Sequence, residues 1–149
     1  MPEKESTLLS GNVMMDATYI KDGMQTQIFG MDVAFALMPH AVPSYAMSFT
    51  VGGKKFVYSG DTQDTDKMAP FAKDADLFLM EAALLDAHKK ESAVHVSAVD
   101  AGRIGREANA KAMLITHLFP EYDPAEVLAE ARRHYPAAEF IEENKVYEV

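Results

Sequence analysis

The chain has 149 residues, of which 48% are hydrophobic and 25% are charged, a composition typical of one globular domain and not of a disordered chain. Its 14 basic and 23 acidic residues give a net charge of −9, which disfavours broad nucleic-acid binding because that binding needs Lys and Arg. Cysteine is absent, so disulfides and thiolate metal sites are excluded, and any metal would need His, Asp and Glu. No apolar run approaches the ~20 residues of a membrane span, and the N-terminus lacks the apolar core of a signal peptide, which favours a soluble cytoplasmic protein.

The first half of the chain is predicted to be rich in strands. Residues 1–25 carry only weak patterning. The dense apolar run Met31–Met38 predicts a mostly buried strand. Two β-rich runs, Tyr45–Val51 and Lys54–Ser59, are joined by Gly52-Gly53, and this arrangement predicts a β-hairpin.

The second half is predicted to alternate helices with buried strands. Apolar residues at helical spacing predict a helix within Thr65–Asp74. Ser97, followed three residues later by Asp100, predicts a capped helix start, and Asp123-Pro124 predicts another. Further strands are predicted at Asp76–Ala82, Ala112–Thr116, Glu139–Ile141 and Lys145–Val149. The resulting order, β-β-β-α-β-α-β-α-β-β, indicates a layered α/β (α+β) domain.

Three potential metal ligands follow predicted strands directly. His40, Asp61 and His117 each lie just past the C-terminal end of a strand, which is the edge where open α/β sheets usually bind ligands. Taken singly, each is more readily an ordinary loop residue, and Asp61 alone is more readily a helix cap. Taken together, two histidines and a carboxylate suit zinc, iron or manganese, and a carboxylate can bridge two metals in phosphoester hydrolysis.

The remaining histidines lie in different surroundings. His95 comes shortly before the predicted helix start at Ser97, where it is either a general acid or hydrogen-bond donor beside a metal, or a plain surface residue. His134 lies near the end of the last predicted helix, where a cation suits the helix dipole, and is interpreted as structural. His88 lies in a polar stretch and is expected to have no functional role.

These residues together resemble the C-terminal part of a metallo-β-lactamase-fold hydrolase of the ribonuclease Z-like group. The similar segments are Pro39–Phe49, Phe56–Thr62, Asp74–Ala82, His95–Leu118 and the helix that follows. They match in order over about Gln27–Val149, which leaves 1–25 weakly matched. The resemblance implies an αββα sandwich, of which residues 1–149 would form a single partial domain.

The resemblance also implies roles for individual residues. His40, Asp61 and His117 match metal ligands of the family, Asp61 being the ligand that bridges two metals, and the implied metal is zinc, manganese or iron. His95 matches the histidine that assists phosphodiester cleavage in the ribonuclease Z group. Glu81 matches an acidic position after the core strand, where it would contact a metal-ligating residue. The implied reaction is metal-assisted attack of water on a phosphorus or carbonyl centre.

The chain departs from the family in two respects. The His-x-His-x-Asp-His motif, which supplies the family's other metal ligands, does not occur. The chain is therefore expected to hold the second half of a truncated sandwich, with an incomplete metal site and little or no hydrolase activity alone. The substrate-gripping arm of ribonuclease Z enzymes is absent between His40 and Asp61, and with the acidic charge this favours a small ester or phosphodiester over tRNA.

A second hypothesis is a non-catalytic α/β module that acts by association, with no metal bound. Half of a sandwich would expose an apolar sheet face, for which Val33, Phe35 and Leu37 are the candidate residues. Exposed apolar patches of more than a few hundred Å² usually mark an interface. Both hypotheses therefore predict a homo-oligomer or a partner chain that covers this face.

Overall fold

The computed structural model describes residues 4–9, 13–63 and 65–149, with side chains described from Ala17 onward. The strands are β1 Lys4–Leu9, β2 Val13–Thr18, β3 Gln25–Ile28, β4 Met31–Met38, β5 Ser44–Val51, β6 Lys54–Tyr58, β7 Leu77–Glu81, β8 Met113–Thr116 and β9 Glu139–Phe140. The helices are α1 Met68–Phe71, α2 Ala98–Glu107 and α3 Pro124–Ala131, and a 3-10 turn spans Asp86–His88. No helix among the described residues has the length and apolar character needed to cross a membrane.

The strands form a two-stranded sheet, β1-β2, and a seven-stranded sheet in the order β3-β4-β5-β6-β7-β8-β9. Strands β3 to β6 pair antiparallel, and β6 to β9 pair parallel through helical crossovers. The predicted hairpin is confirmed: Val51 pairs with Lys54, and both Gly52 and Gly53 have positive φ, as a tight two-residue turn requires. The predicted α/β class is likewise confirmed.

The helices cover one face of the large sheet. Helix α2 begins at a complete capping box between Ser97 and Asp100, and α3 begins at Asp123, whose side chain accepts from the Ala125 amide. Helix α2 lies very close to α3, because a side chain on Gly102 would collide with the backbone carbonyl of Ala131. The largest fully buried residues of the core between helices and sheet include Phe78, Met68, Met80, Ile104, Met113 and Ile115.

Two sequence expectations about the elements are wrong, and one is confirmed in a shorter form. The weakly patterned residues 1–25, for which no strand is predicted, contain two whole strands and the start of β3. Strand β3 is largely polar and lacks the alternation that marks a half-buried strand. The helix predicted within Thr65–Asp74 is present as a single turn, Met68–Phe71, whose terminal carbonyl accepts from the ammonium of Lys55. Residues 145–149 form no strand, because they lack a paired neighbour.

The large sheet has an exposed apolar surface, but not at the residues expected from the sequence. The expectation is wrong for Val33 and Phe35, which are buried at 2% and 8% exposure, while Leu37 is partly exposed. Phe35 lines a cavity of about 330 Å³ together with residues of the segment 18–28, which therefore covers this part of the face. An apolar groove of about 790 Å³ opens farther across the large sheet, lined among others by Met31, Phe49, Val51, Phe56, Leu79 and Tyr147.

Candidate active site

One edge of the large sheet collects the loops that carry the candidate residues. Strands β4, β6, β7 and β8 all run toward this edge, because β4 and β6 are both antiparallel to β5 and the next two strands are parallel to β6. His40 follows β4, Asp61 follows β6 and His117 follows β8, while Glu81 is the last residue of β7. Shared strand direction therefore brings residues that are far apart in sequence to one place.

His95 lies at the centre of a histidine cluster formed by His40, His95 and His117. Its ring centroid is 5.0 Å from that of His40 and 4.9 Å from that of His117. The cluster extends to Asp61, whose Oδ2 is 3.8 Å from Nε2 of His117. The structure thus places four of the five predicted site residues side by side.

Hydrogen bonds fix the loop that carries His40. Nδ1 of His40 lies 2.9 Å from the carbonyl oxygen of Val94, which can only accept, so Nδ1 carries the proton. Its Nε2 then has the free lone pair in the neutral ring. A histidine held in this way, with one nitrogen bonded to a backbone carbonyl and the other available, is the usual arrangement of a metal ligand.

Glu81 is a buried carboxyl group beneath the cluster. Its side chain is 0% exposed, and both of its oxygens lie 3.1 Å from Nδ1 of His95. The backbone N–H of Thr62 donates a short hydrogen bond to Oε1. Burial raises the pKa of Glu81 to about 8, and the negative charge of Asp61 adds to this rise, while hydrogen bonds from the Thr62 and Val96 amides oppose it.

The pKa of His95 is shifted in the opposite direction to that of Glu81. Burial lowers the pKa of His95, and the neighbouring rings of His117 and His40 lower it further, against the smaller opposing effect of Asp61. At neutral pH these shifts favour a protonated Glu81 beside a neutral His95. The carboxyl O–H then donates to Nδ1, and the imidazole proton lies on Nε2.

Two unusual backbone conformations position the loops of the site. Gly60 has φ +60°, and a Cβ there would lie 2.6 Å from the carbonyl oxygen of Tyr45, so only glycine fits before Asp61. His117 has φ +64°, a left-handed conformation that is uncommon for residues with a side chain. Such conformations cost energy and concentrate at functional sites.

Sequence reasoning missed two aromatic residues at this edge. Phe119 lies against the rings of His95 and His117, and the only signal for it is its position two residues after His117. Tyr58 ends β6, and burial raises its pKa, to which the charges of Asp61 and Glu81 add. Neither position is distinguishable by pattern from an ordinary strand or loop residue.

The other two histidines lie outside the cluster. The ring of His88 stacks on that of Tyr122, with Nδ1 3.1 Å from the phenol oxygen. Nδ1 of His134 lies 3.3 Å from Nη1 of Arg106. Each therefore joins surface segments and does not extend the candidate site.

The donor set suits a metal chemically, but its arrangement is that of a partial site. Imidazole and carboxylate are the ligands of zinc, iron and manganese. Among the described residues, however, no group of three or more His, Asp and Glu side chains is arranged so as to hold a metal ion. The residue types at this edge therefore suit a metal ion, and further donors or a closer approach of these side chains would be needed to form a site for one.

Comparison with known proteins identifies the family of the chain. The chain matches the family described as "Beta-lactamase superfamily domain" over residues 4–118. The Bacillus subtilis protein YhfI, described as a probable metallo-hydrolase, is 40% identical over 86 residues, which are 58% of this chain and 35% of YhfI. The ribonuclease Z of Myxococcus xanthus is 39% identical over 88 residues, which are 56% of this chain and 28% of that protein.

The similarity to YhfI extends to the three-dimensional structure. The crystal structure of the metallo-β-lactamase fold protein YhfI from Bacillus subtilis superposes with a TM-score of 0.81 at 28% identity, covering 87% of this chain and 54% of that chain. The stretches that align in sequence cover only 35% of YhfI and 28% of the Myxococcus xanthus ribonuclease Z, so the chain spans only part of the length of these relatives. The family match begins in the weakly patterned N-terminal segment and covers most of the chain. The chain therefore belongs to the metallo-β-lactamase superfamily of hydrolase-like proteins, within a ribonuclease Z-like group.

Proposed function

We propose that this chain carries part of the active site of a metal-dependent hydrolase that cleaves an ester or a phosphodiester. The observation that carries the proposal is the meeting of His40, Asp61, His95 and His117 at one sheet edge, above the buried carboxyl of Glu81. A structural role alone does not account for three imidazoles packed around one another. Placing several neutral ring nitrogens together is useful where they bind a cation or move a proton.

In this proposal His40, Asp61 and His117 hold part of a metal centre. Zinc is the first expectation, with manganese or iron as alternatives, because all three accept imidazole and carboxylate ligands. When bound, the ion would polarise the reacting oxygen and make water more acidic. Nδ1 of His40 is already bonded to Val94, so this ligand is oriented before the ion arrives.

His95 is proposed as the proton donor to the leaving group. Nδ1 faces Glu81, so Nε2 is the atom that can reach a substrate. His95 would release the Nε2 proton to the departing oxygen while Glu81 returns a proton to Nδ1, so that the ring stays neutral. Glu81 acts through His95 and is a positioning residue.

The chain alone is proposed to have little or no hydrolase activity. Support comes from the partial donor set and from the relatives, which are more than twice as long as the stretch they share with this chain. A homo-oligomer or a partner chain that packs on the apolar groove between Met31 and Tyr147 is proposed to cover the sheet. A cytoplasmic location stays a prediction.

A small ester or phosphodiester is the proposed substrate. The net charge of −9 opposes the approach of a polyanion, which disfavours nucleic acid. Relatives include ribonuclease Z proteins, so an RNA substrate is the outcome that would correct this part of the proposal.

The test combines metal content with turnover. The purified chain is loaded with zinc or manganese, its metal content is measured by mass spectrometry, and hydrolysis of bis(p-nitrophenyl) phosphate, p-nitrophenyl acetate and a precursor tRNA is followed. We expect metal binding that His117→Ala weakens at least tenfold, with weak or no turnover. His134→Ala is the matched control, because this histidine lies outside the cluster. Undiminished metal binding by His117→Ala would contradict the proposal.

The second candidate function is a non-catalytic module that acts by association. It is favoured by the finding that no three described ligands converge on a metal position. It predicts a protein whose melting temperature is unchanged by chelators and by added zinc. Size-exclusion chromatography with light scattering would then show a stable oligomer whose formation is lost in a Phe49→Asp variant of the apolar groove.

A further inference from the structure

Phe119 borders the histidine cluster. Its ring lies edge-on to His95 and His117, with centroid distances of 5.4 and 6.1 Å and interplanar angles of 80° and 64°. The ring is partly exposed, so part of its surface remains available to a ligand. A ligand that reacts at the cluster would therefore have an aromatic side chain beside it.

The backbone that carries this ring is hydrogen-bonded on both sides. The Phe119 amide donates to the carbonyl of Ala83 at 3.1 Å, and its own carbonyl accepts from the Tyr122 amide at 3.1 Å. The preceding residue, Leu118, packs against the hydrophobic core. A side chain that is already ordered loses little entropy on binding, which makes its contacts with a ligand more productive.

We propose that Phe119 determines substrate specificity by stacking on a flat ring that the substrate carries next to its scissile bond. This inference rests on the proposed hydrolase function and names its substrate class: aryl-substituted esters and phosphodiesters, in preference to alkyl ones. Aromatic rings attract one another through their quadrupoles at centroid separations of about 4.5–7 Å. Such a contact increases affinity about 2- to 12-fold beyond that of an equally large apolar group.

The test compares two anionic probes, one with a flat ring and one with a puckered ring. Phenylphosphonate and cyclohexylphosphonate have similar apolar size, and the change in the ratio of their dissociation constants when Phe119 is replaced reports on stacking. Both are titrated calorimetrically into the zinc-loaded chain and into Phe119→Ala and Phe119→Leu variants. We expect the wild-type chain to bind the phenyl compound about 2- to 12-fold more tightly. We expect both variants to bind the two compounds about equally.

Phe119→Leu keeps most of the side-chain volume, so it provides the test even if Phe119→Ala does not fold. The matched control is Phe29→Ala, because Phe29 is 98% exposed in the β3–β4 turn, at the other end of β4 from His40. Phe29→Ala should leave the ratio of the two dissociation constants unchanged.

Three results would overturn the proposal. The first is that the wild-type chain binds the two phosphonates equally tightly. The second is that Phe119→Leu still binds phenylphosphonate more tightly than cyclohexylphosphonate. Either result, with binding retained, leaves the hydrolase proposal intact. The third is a wild-type chain that binds neither probe, in which case the hydrolase proposal is judged separately by the metal content of His117→Ala.

Discussion

The carboxyl group of Glu81 lies directly against the imidazole of His95, with both oxygens 3.1 Å from Nδ1. The pair is almost sealed from solvent, since the two side chains are 0% and 13% exposed. Ionising Glu81 places a negative charge in this buried position, near the carboxylate of Asp61. The arrangement is therefore more stable when Glu81 retains its proton.

The first prediction is that the folded chain loses stability as the pH rises from about 5 to 9. The pKa of Glu81 is about 8 in the fold against an ordinary value of 4.5, so between these values the folded state binds more protons than the unfolded state. Glu81→Gln removes the titrating group and should remove much of this dependence. The free energy of unfolding in urea, measured at pH 5, 7 and 9, tests this. The prediction would be contradicted if the free energy of unfolding changed with pH in the same way for the wild-type chain and for Glu81→Gln.

The second prediction concerns acid stability and has the opposite sign. Hydrogen bonds from the Lys111 side chain and the Lys55 amide lower the pKa of Asp76 to about 2. The folded state therefore releases this proton more readily than the unfolded state, and the resulting stability is present above pH 4 and lost as the pH falls toward 2.

Asp76→Asn should therefore lower the melting temperature at pH 7 and have progressively less effect toward pH 2. The matched control is Asp32→Asn, because Asp32 is an exposed carboxylate bonded to Gln27. Thermal melting from pH 2 to 7 gives the comparison. If Asp76→Asn and Asp32→Asn changed the melting temperature equally at pH 7, the lysine contacts of Asp76 would not contribute to stability.

The third prediction concerns the packing of α2 on α3. A Cβ on Gly102 would collide with the carbonyl oxygen of Ala131, and relieving this clash requires backbone to shift. A Cβ on Gly105 would collide with Sδ of Met113, which belongs to a flexible side chain.

Glycine to alanine normally stabilises a helix interior by roughly 1 kcal/mol. We expect Gly102→Ala to destabilise the fold by about 1–3 kcal/mol, as overpacking does, and Gly105→Ala to cost clearly less. Urea unfolding of the two variants provides the measurement. A Gly102→Ala variant as stable as the wild-type chain would mean that the helices separate without cost.

The gathering of His40, Asp61 and His117 at one sheet edge could be predicted from the sequence. Each of them follows a predicted strand, and the direction of these strands brings the three residues to one edge. The capping box at Ser97 was equally local, because its two hydrogen bonds lie within one helical turn.

The failures concern a polar strand and packing between separate segments. Strand β3 is polar, and it is a strand because Gln25–Ile28 pairs with the adjacent β4 across the Phe29-Gly30 turn, where the apolar pattern gives no signal. The burial of Phe35 depends on the segment 18–28 that lies over it. The place of Phe119 depends on three loops arriving together, so its neighbours could be identified only after the fold was known.

The left-handed backbone at His117 bears on how any variant of this residue should be interpreted. Alanine at φ +64° pays a conformational cost, whereas asparagine and glycine accept that region readily. His117→Asn would therefore remove the imidazole and leave the loop conformation unstrained. A difference in stability between the Asn and Ala variants would measure the conformational cost of the left-handed backbone. In a saturation library selected only for folding, this position should accumulate Asn and Gly and exclude Val and Ile, a bias that ligand chemistry would not produce.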